Sequence, residues 1–122
     1  EAYLSAHGYP ESTDDLQGHS FVSLDNFNSR APYVRSQLDR DSPDQIVYRG
    51  PDYRVIRDAL LDGLGIGFIS DWEAERFPAL IRLFETEDEW LAPLWLVTHV
   101  DLHRTAKVQT FLKFLKEDAK SW

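Results

Sequence analysis

The sequence predicts an α/β fold in which a mostly parallel sheet is flanked by helices. Three observations point there. Short apolar runs that suit strands alternate with segments that suit helices, the order from which parallel sheets are built. Ile66–Ile69 is apolar apart from Gly67 and follows a helical segment, as a buried parallel strand does. Near the end, Val108, Phe111, Leu112, Leu115 and Ala119 recur at i, i+3, i+4, i+7 and i+11, the stripe of an amphipathic helix.

The elements follow in order. Glu1 to His7 reads as a helical end closed by Gly8 and Pro10. Ser12 to Leu16 reads as one capped turn, since Ser12 can accept from backbone N–H groups and Asp14 and Asp15 suit a helix N-terminus; Gly18 stops it. Phe21–Leu24 is a short strand. Asp25 to Pro43 is polar and turn-rich, with room for a short helix near Tyr33 to Leu38, and Gln45 to Tyr48 is a second strand. Gly50-Pro51-Asp52 opens a helix whose Val55, Ile56, Ala59 and Leu60 share a face, and Gly63 is its left-handed stop. After the Ile66–Ile69 strand come a short helix from Asp71 to Phe77, a strand from Leu80 to Phe84, an acidic loop from Glu85 to Glu89, a strand from Leu94 to Thr98 and the final helix.

Composition narrows the function. The 122 residues carry 13 Lys and Arg against 21 Asp and Glu, a formal net charge of −8. Duplex DNA is held by Lys and Arg that neutralise phosphates, so an acidic chain with scattered basic residues is a poor DNA contact. With no cysteine, disulfides, thiol nucleophiles and cysteine-held zinc are excluded. No apolar stretch approaches the length of a membrane span. The start lacks the pattern of a signal peptide, and the absence of methionine suggests a trimmed fragment.

The candidate chemical motifs are weak. Gly63-Leu64-Gly65-Ile66-Gly67 has dinucleotide-like glycines in the wrong order: they follow a helix and enter a strand, which suits a helix stop and close backbone packing. His99 and His103 have helical metal spacing, but His99 ends an apolar strand and Asp101 reads as the cap of the following helix, so the rings should not share a face. His7 and His19 read as surface loop residues. No serine lies in a nucleophile elbow, and the carboxylates fall mostly in solvated runs. No catalytic constellation emerges. A binding site does: ligands of open α/β sheets sit beyond the carboxyl ends of strands, here Leu24-Asp25 and Ile69-Ser70. The start of the Asp52 helix has two readings of equal standing. Its free N–H groups hold an anion, or Asp52 caps them.

Three blocks together resemble the LysR-type transcriptional regulators. They are Tyr3-Leu4-Ser5-Ala6-His7-Gly8-Tyr9-Pro10 with Asp14-Asp15-Leu16-Gln17-Gly18-His19; Asp58-Ala59-Leu60-Leu61-Asp62-Gly63-Leu64-Gly65-Ile66-Gly67-Phe68-Ile69; and Pro93-Leu94-Trp95-Leu96-Val97-Thr98-His99 with Asp101-Leu102 and Arg104-Thr105. Their order and spacing fit over nearly the whole chain. Ser70 and His103 depart from the family pattern, which commonly has proline and, in one subgroup, arginine there.

The resemblance implies the second subdomain of a periplasmic-binding-protein-like (type 2) effector domain. Residues 1–20 would be a crossover segment, 21–92 effector-binding subdomain II, and 93–122 a return strand and C-terminal helix to subdomain I. It further implies a small-molecule effector in a cleft near Leu24, Asp25, Asp52, Tyr53, Gly67 and Phe68; strand-end loops and a helix N-terminus suit an anionic effector, against which the chain's own acidity weighs. A winged helix-turn-helix outside these residues would bind promoter DNA. The expectation is a cytoplasmic regulator fragment with no cofactor, no metal, no catalysis and no membrane contact. Its apolar C-terminal stripe should either fold back on Glu1 to Ala6 and the local sheet or, the favoured outcome, drive self-association into a homo-oligomer. The alternatives are an exported solute-binding protein of the same fold and a small α/β enzyme.

Overall fold

The computed structural model describes residues 1–26, 28–40 and 43–121. Phe27, Asp41 and Ser42 of the turn-rich stretch, and Trp122 at the end of the last segment, lie outside the described residues. The chain divides into two compact units, Glu1–Ala92 and Pro93–Trp122. No helix among the described residues is long and apolar enough to cross a membrane.

The first unit is built around a parallel pair of strands, β1 (Phe21–Leu24) and β2 (Ile46–Gly50). Register runs Phe21 to Ile46, then Val22 to Tyr48, Ser23 to Arg49 and Leu24 to Gly50. The skipped residue, Val47, is a bulge, and its side chain is exposed. β2 begins at Ile46 because Gln45 belongs to a preceding 3-10 turn, Pro43–Gln45. The Gln45 side-chain amide donates to Leu16 O at 3.1 Å and Gln17 O at 2.8 Å, which fastens the start of β2 to the segment before β1.

That earlier segment is also fixed by polar contacts. Helix α1 (Ala2–His7) ends at Gly8, whose φ of 87° with an extended ψ is a conformation that glycine adopts readily and other residues do not. Tyr3 is buried and its hydroxyl accepts from Ser20 N at 2.7 Å, while its ring stacks on His7 with centroids 4.3 Å apart. His19, expected as a surface loop residue, is half-buried instead, with Nδ1 3.3 Å from the same hydroxyl. A 3-10 helix spans Thr13–Gly18 where a single turn was expected. The Asp15 carboxylate accepts from the Glu11 and Ser12 amides at 3.1 and 3.0 Å and so closes its start.

Two helices cover β1. Helix α2 (Pro32–Arg40) starts on proline, which suits a first helical position because its missing N–H would have no partner there. It buries Val34 and Gln37, and the Gln37 amide donates to Val22 O at 3.3 Å, so the polar group is not left unpaired beneath apolar surface. Helix α3 (Tyr53–Leu61) buries Ile56 and Ala59, which pack with Val22 as the core; Leu24, Tyr48 and Leu60 close around them. Gly63 follows with φ 75°, the left-handed stop that the sequence indicates.

Three expected strands do not form ladders. Ile66–Ile69 makes one parallel rung, Phe21 to Ile66, with Val22 N donating to Ile66 O at 2.8 Å and Ile66 N to Ser20 O at 2.9 Å. Among the described residues no rung to β1 follows Ile66, although Gly67 stays against Val22, and Phe68 packs on Tyr33 and Trp90. Leu80–Phe84 and Leu94–Thr98 are not strands either. Apolar residues favour an extended chain, but a strand also needs a neighbour to satisfy its N–H and C=O groups. Among the described residues neither segment pairs with one. Helix α4 is shorter than expected (Asp71–Ala74). Arg57 ties it to α3 by an ion pair with Glu73 at 2.7 Å and lies over Phe77, 4.8 Å from the ring centroid.

Among its described residues the second unit holds two α-helices, α5 (Val100–His103) and α6 (Ala106–Asp118), followed by a 3-10 turn, Ala119–Ser121. Asp101 is inside α5, not at its cap. His99 is the cap, its Nδ1 accepting from Asp101 N at 3.3 Å, and Thr105 stands at the cap of α6. Of the predicted stripe, Leu112 is buried, Val108 and Leu115 are half-buried and Phe111 is exposed.

Candidate functional site

The carboxyl end of β1 and the start of α3 meet because Leu24 pairs with Gly50 in the parallel register, and Asp25 N donates to Gly50 O at 2.8 Å. Gly50 lies under Ile56; a Cβ there would stand 3.0 Å from Ile56 Cδ1, so the absence of a side chain brings α3 close to the sheet. Between β1, α2 and α3 is a cavity of about 10 Å³, room for about one water molecule. Leu24, Tyr33, Gln37, Tyr53, Ile56 and Phe68 are among its walls.

Aromatic rings dominate this corner. Tyr33 and Tyr53 have centroids 6.4 Å apart, Tyr33 and Phe68 5.9 Å, and Phe68 meets Trp90 edge-on at 5.1 Å. The hydroxyls of Tyr33 and Tyr53 share a hydrogen bond. Trp90 Nε1 donates to Ser36 Oγ at 3.1 Å, and Ser36 Oγ donates to Glu89 Oε1 at 3.2 Å, which holds the indole against α2. Burial pushes the Tyr53 phenol above its ordinary value of 10.0, because the phenolate would lose hydration there.

Of the six residues expected at a binding site, Leu24, Tyr53 and Phe68 line this cavity. Asp25 is exposed at the end of β1. Asp52 is engaged: its Oδ1 accepts from Arg54 N at 2.9 Å and Val55 N at 3.2 Å. Of the two readings for this helix start, the geometry shows capping, and the N–H groups that an anion would need already have a carboxylate. Gly67 is not in the wall. A Cβ on it would stand 2.8 Å from Val22 O, and one on Gly65 2.5 Å from Ser20 O, so both glycines serve close backbone approach to β1.

Sequence reasoning missed Tyr33, Gln37 and Trp90. Tyr33 and Gln37 fall in the turn-rich stretch, where Pro32 as a helix start was the available signal. Trp90 follows an acidic run that reads as solvated loop; nothing local announces its contact with Phe68. The paired histidines do not converge: His99 faces the Asp101 amide, and His103 Nδ1 lies 3.0 Å from Thr98 Oγ1. A wider hollow of about 540 Å³ is bordered by Asn28, Ser29, Arg30 and Arg35. It is open, and the described residues that border it are all polar or charged.

Comparison with known proteins matches the sequence to a family. The LysR substrate binding domain matches residues 1–120. A curated relative, a probable HTH-type transcriptional regulator LtrA from Klebsiella pneumoniae, is 29% identical over 128 residues, covering 96% of this chain and 40% of its own length. The chain thus spans less than half of the relative it matches. No solved structure gives a significant match. A family match over nearly all of the sequence, on a parallel α/β unit with an aromatic-lined hollow at its strand ends, leads to one conclusion: the chain belongs to the LysR substrate-binding domain family.

Proposed function

We propose that this chain is the effector-sensing part of a LysR-type transcriptional regulator and contributes one wall of a small-molecule cleft. The observation that carries the reading is the strand-end hollow lined by Leu24, Tyr53 and Phe68 in a chain of this family. Asp25, Asp52 and Gly67 stand behind or beside that wall: Asp25 at the rim, Asp52 fixing the start of α3, Gly67 setting the approach of Phe68. The hollow is too small to enclose an effector. A second wall, in subdomain I, would complete it, with residues 21–92 as subdomain II and 93–122 as the return to subdomain I.

The mechanism is differential binding. An effector that touches both walls binds the closed arrangement better than the open one and shifts their populations. DNA contact belongs to a helix-turn-helix segment elsewhere in the protein, in keeping with the name of the relative and the acidity of this chain. Regulation of this kind is cytoplasmic and requires neither cofactor nor catalysis.

The test uses the full-length regulator. Genomic fragments that it retains are isolated, and compounds that raise its melting temperature are added to the complex. At least one such compound should change affinity for the fragment, and Phe68→Ala should weaken that response while leaving compound-free DNA binding intact. A full-length protein that retains no DNA fragment, or a DNA affinity indifferent to every stabilising compound, contradicts the reading.

A further inference from the structure

The rings at this corner are not all consumed by the core. Phe68 and Trp90 pack edge to face, but Tyr53 remains about half exposed at 48% while lining the hollow, and Tyr33 is half-buried beside it. Tyr33 and Tyr53 contribute two hydroxyl protons, and the hydrogen bond between them uses one. The remaining proton and the outer lone pairs are available to a ligand lying across the two rings.

The charged residues flanking this corner in sequence are of both signs, Asp25 and Asp52 with Arg54 beside them and Arg30 and Arg35 on either side of Tyr33, and none of them is among the described residues that line the hollow. The residues that line the hollow include no Lys, Arg or His. Asp25 closes the end of β1, and Asp52 follows Gly50, the residue paired with Leu24. The Asp52 carboxylate already occupies the Arg54 and Val55 amides. A second anion placed at the start of α3 would displace this cap and meet two carboxylates. A neutral ring meets neither cost, and a ring bearing a cation gains from tyrosine faces and carboxylates alike.

Resting on the reading of this corner as an effector wall, we propose that its outer face, where Tyr53 is exposed beside Tyr33 and Phe68, is a platform on which an aromatic ring, neutral or cationic, lies outside the small hollow and hydrogen-bonds to the tyrosine hydroxyl pair. The chemistry is that of a phenol or an aralkylamine, and an effector whose carboxylate must replace the Asp52 cap at the start of α3 is disfavoured.

The experiment compares four probes on the full-length protein by side-chain NMR and isothermal titration: phenol, tyramine, benzoate and inorganic phosphate. Phenol and tyramine should shift Tyr33, Tyr53 and Phe68 resonances and bind at least about tenfold more tightly than benzoate, one ring contact or one lost charge clash being worth that much. Tyr53→Phe, which keeps the ring and the packing, should weaken phenol and leave the melting temperature nearly unchanged. Phe68→Leu should weaken both aromatic probes. Tighter binding of benzoate or phosphate at these residues overturns the inference, as does unchanged phenol affinity in both variants. In either case the effector-sensor reading survives if compounds still modulate DNA binding. If no probe binds and DNA binding responds to no compound, both fall.

Discussion

Tyr53 stands at the first turn of α3 with its ring over the hollow and its hydroxyl joined to Tyr33. Its raised pKa has a consequence for stability whose sign is fixed. In the unfolded chain the phenol ionises near its ordinary value of 10.0; in the fold it ionises later. The stability it contributes is therefore whole below that pH and is lost as pH rises through the folded value. Alkaline titration followed by tyrosinate absorbance should show one late component that Tyr53→Phe removes. A Tyr53→Phe titration superimposable on the parent curve would contradict the burial argument. At this scale, the sequence was informative where the backbone dictates the residue: Gly8 and Gly63 at positive φ, and Asp52 ahead of a helix. The aromatic contacts were not visible, because Tyr33, Phe68 and Trp90 are brought together by packing of separate segments and no local spacing encodes it.

Elements succeed or fail here by whether they have a neighbour. Phe21–Leu24 has one on each side, β2 along its length and Ile66 at a single rung, and its Phe21, Val22 and Ser23 are the buried centre of the unit. Its bounds were legible because burial on both faces selects an apolar, β-prone run. The segments 80–84 and 94–98 have similar composition and form no ladder, since pairing is decided by the rest of the fold. The single rung at Ile66 depends on Gly65. A Cβ there would meet Ser20 O at 2.5 Å, and a backbone oxygen cannot yield as a flexible side chain can. Gly65→Ala should cost about 1–3 kcal/mol, the usual penalty of overpacking, in denaturant unfolding. Gly18→Ala is the control, since nothing lies within 4 Å of its added Cβ, and it should change stability by less than about 0.5 kcal/mol. Equal effects of the two would show that the approach to β1 is not what Gly65 provides.

At the level of the whole molecule, the second unit carries more apolar surface than a solvated chain usually shows. Leu94 and Val97 are 83% and 85% exposed, and Trp95, Val100, Phe111 and Phe114 are exposed as well. Patches of this kind mark contact surfaces. The 122-residue polypeptide is expected to self-associate through them, with a sedimentation coefficient that falls on dilution and an association weakened by Leu94→Asp. A monomer at every concentration would contradict this. The α/β class and its parallel pairing were legible from the alternation of elements, and the family from ordered short blocks. How the C-terminal apolar residues are covered was not, because periodicity identifies a face without naming what meets it.

The central claim is that ligand contacts fall on the strand-end wall of Leu24, Tyr53 and Phe68. It is tested most directly by methyl and aromatic NMR of the full-length protein titrated with a fragment library. Compounds that alter DNA affinity should perturb Leu24, Tyr33, Tyr53 and Phe68 first and most strongly. Perturbations confined to the Asn28–Arg35 hollow or to α6, with the strand-end rings unmoved, would contradict it.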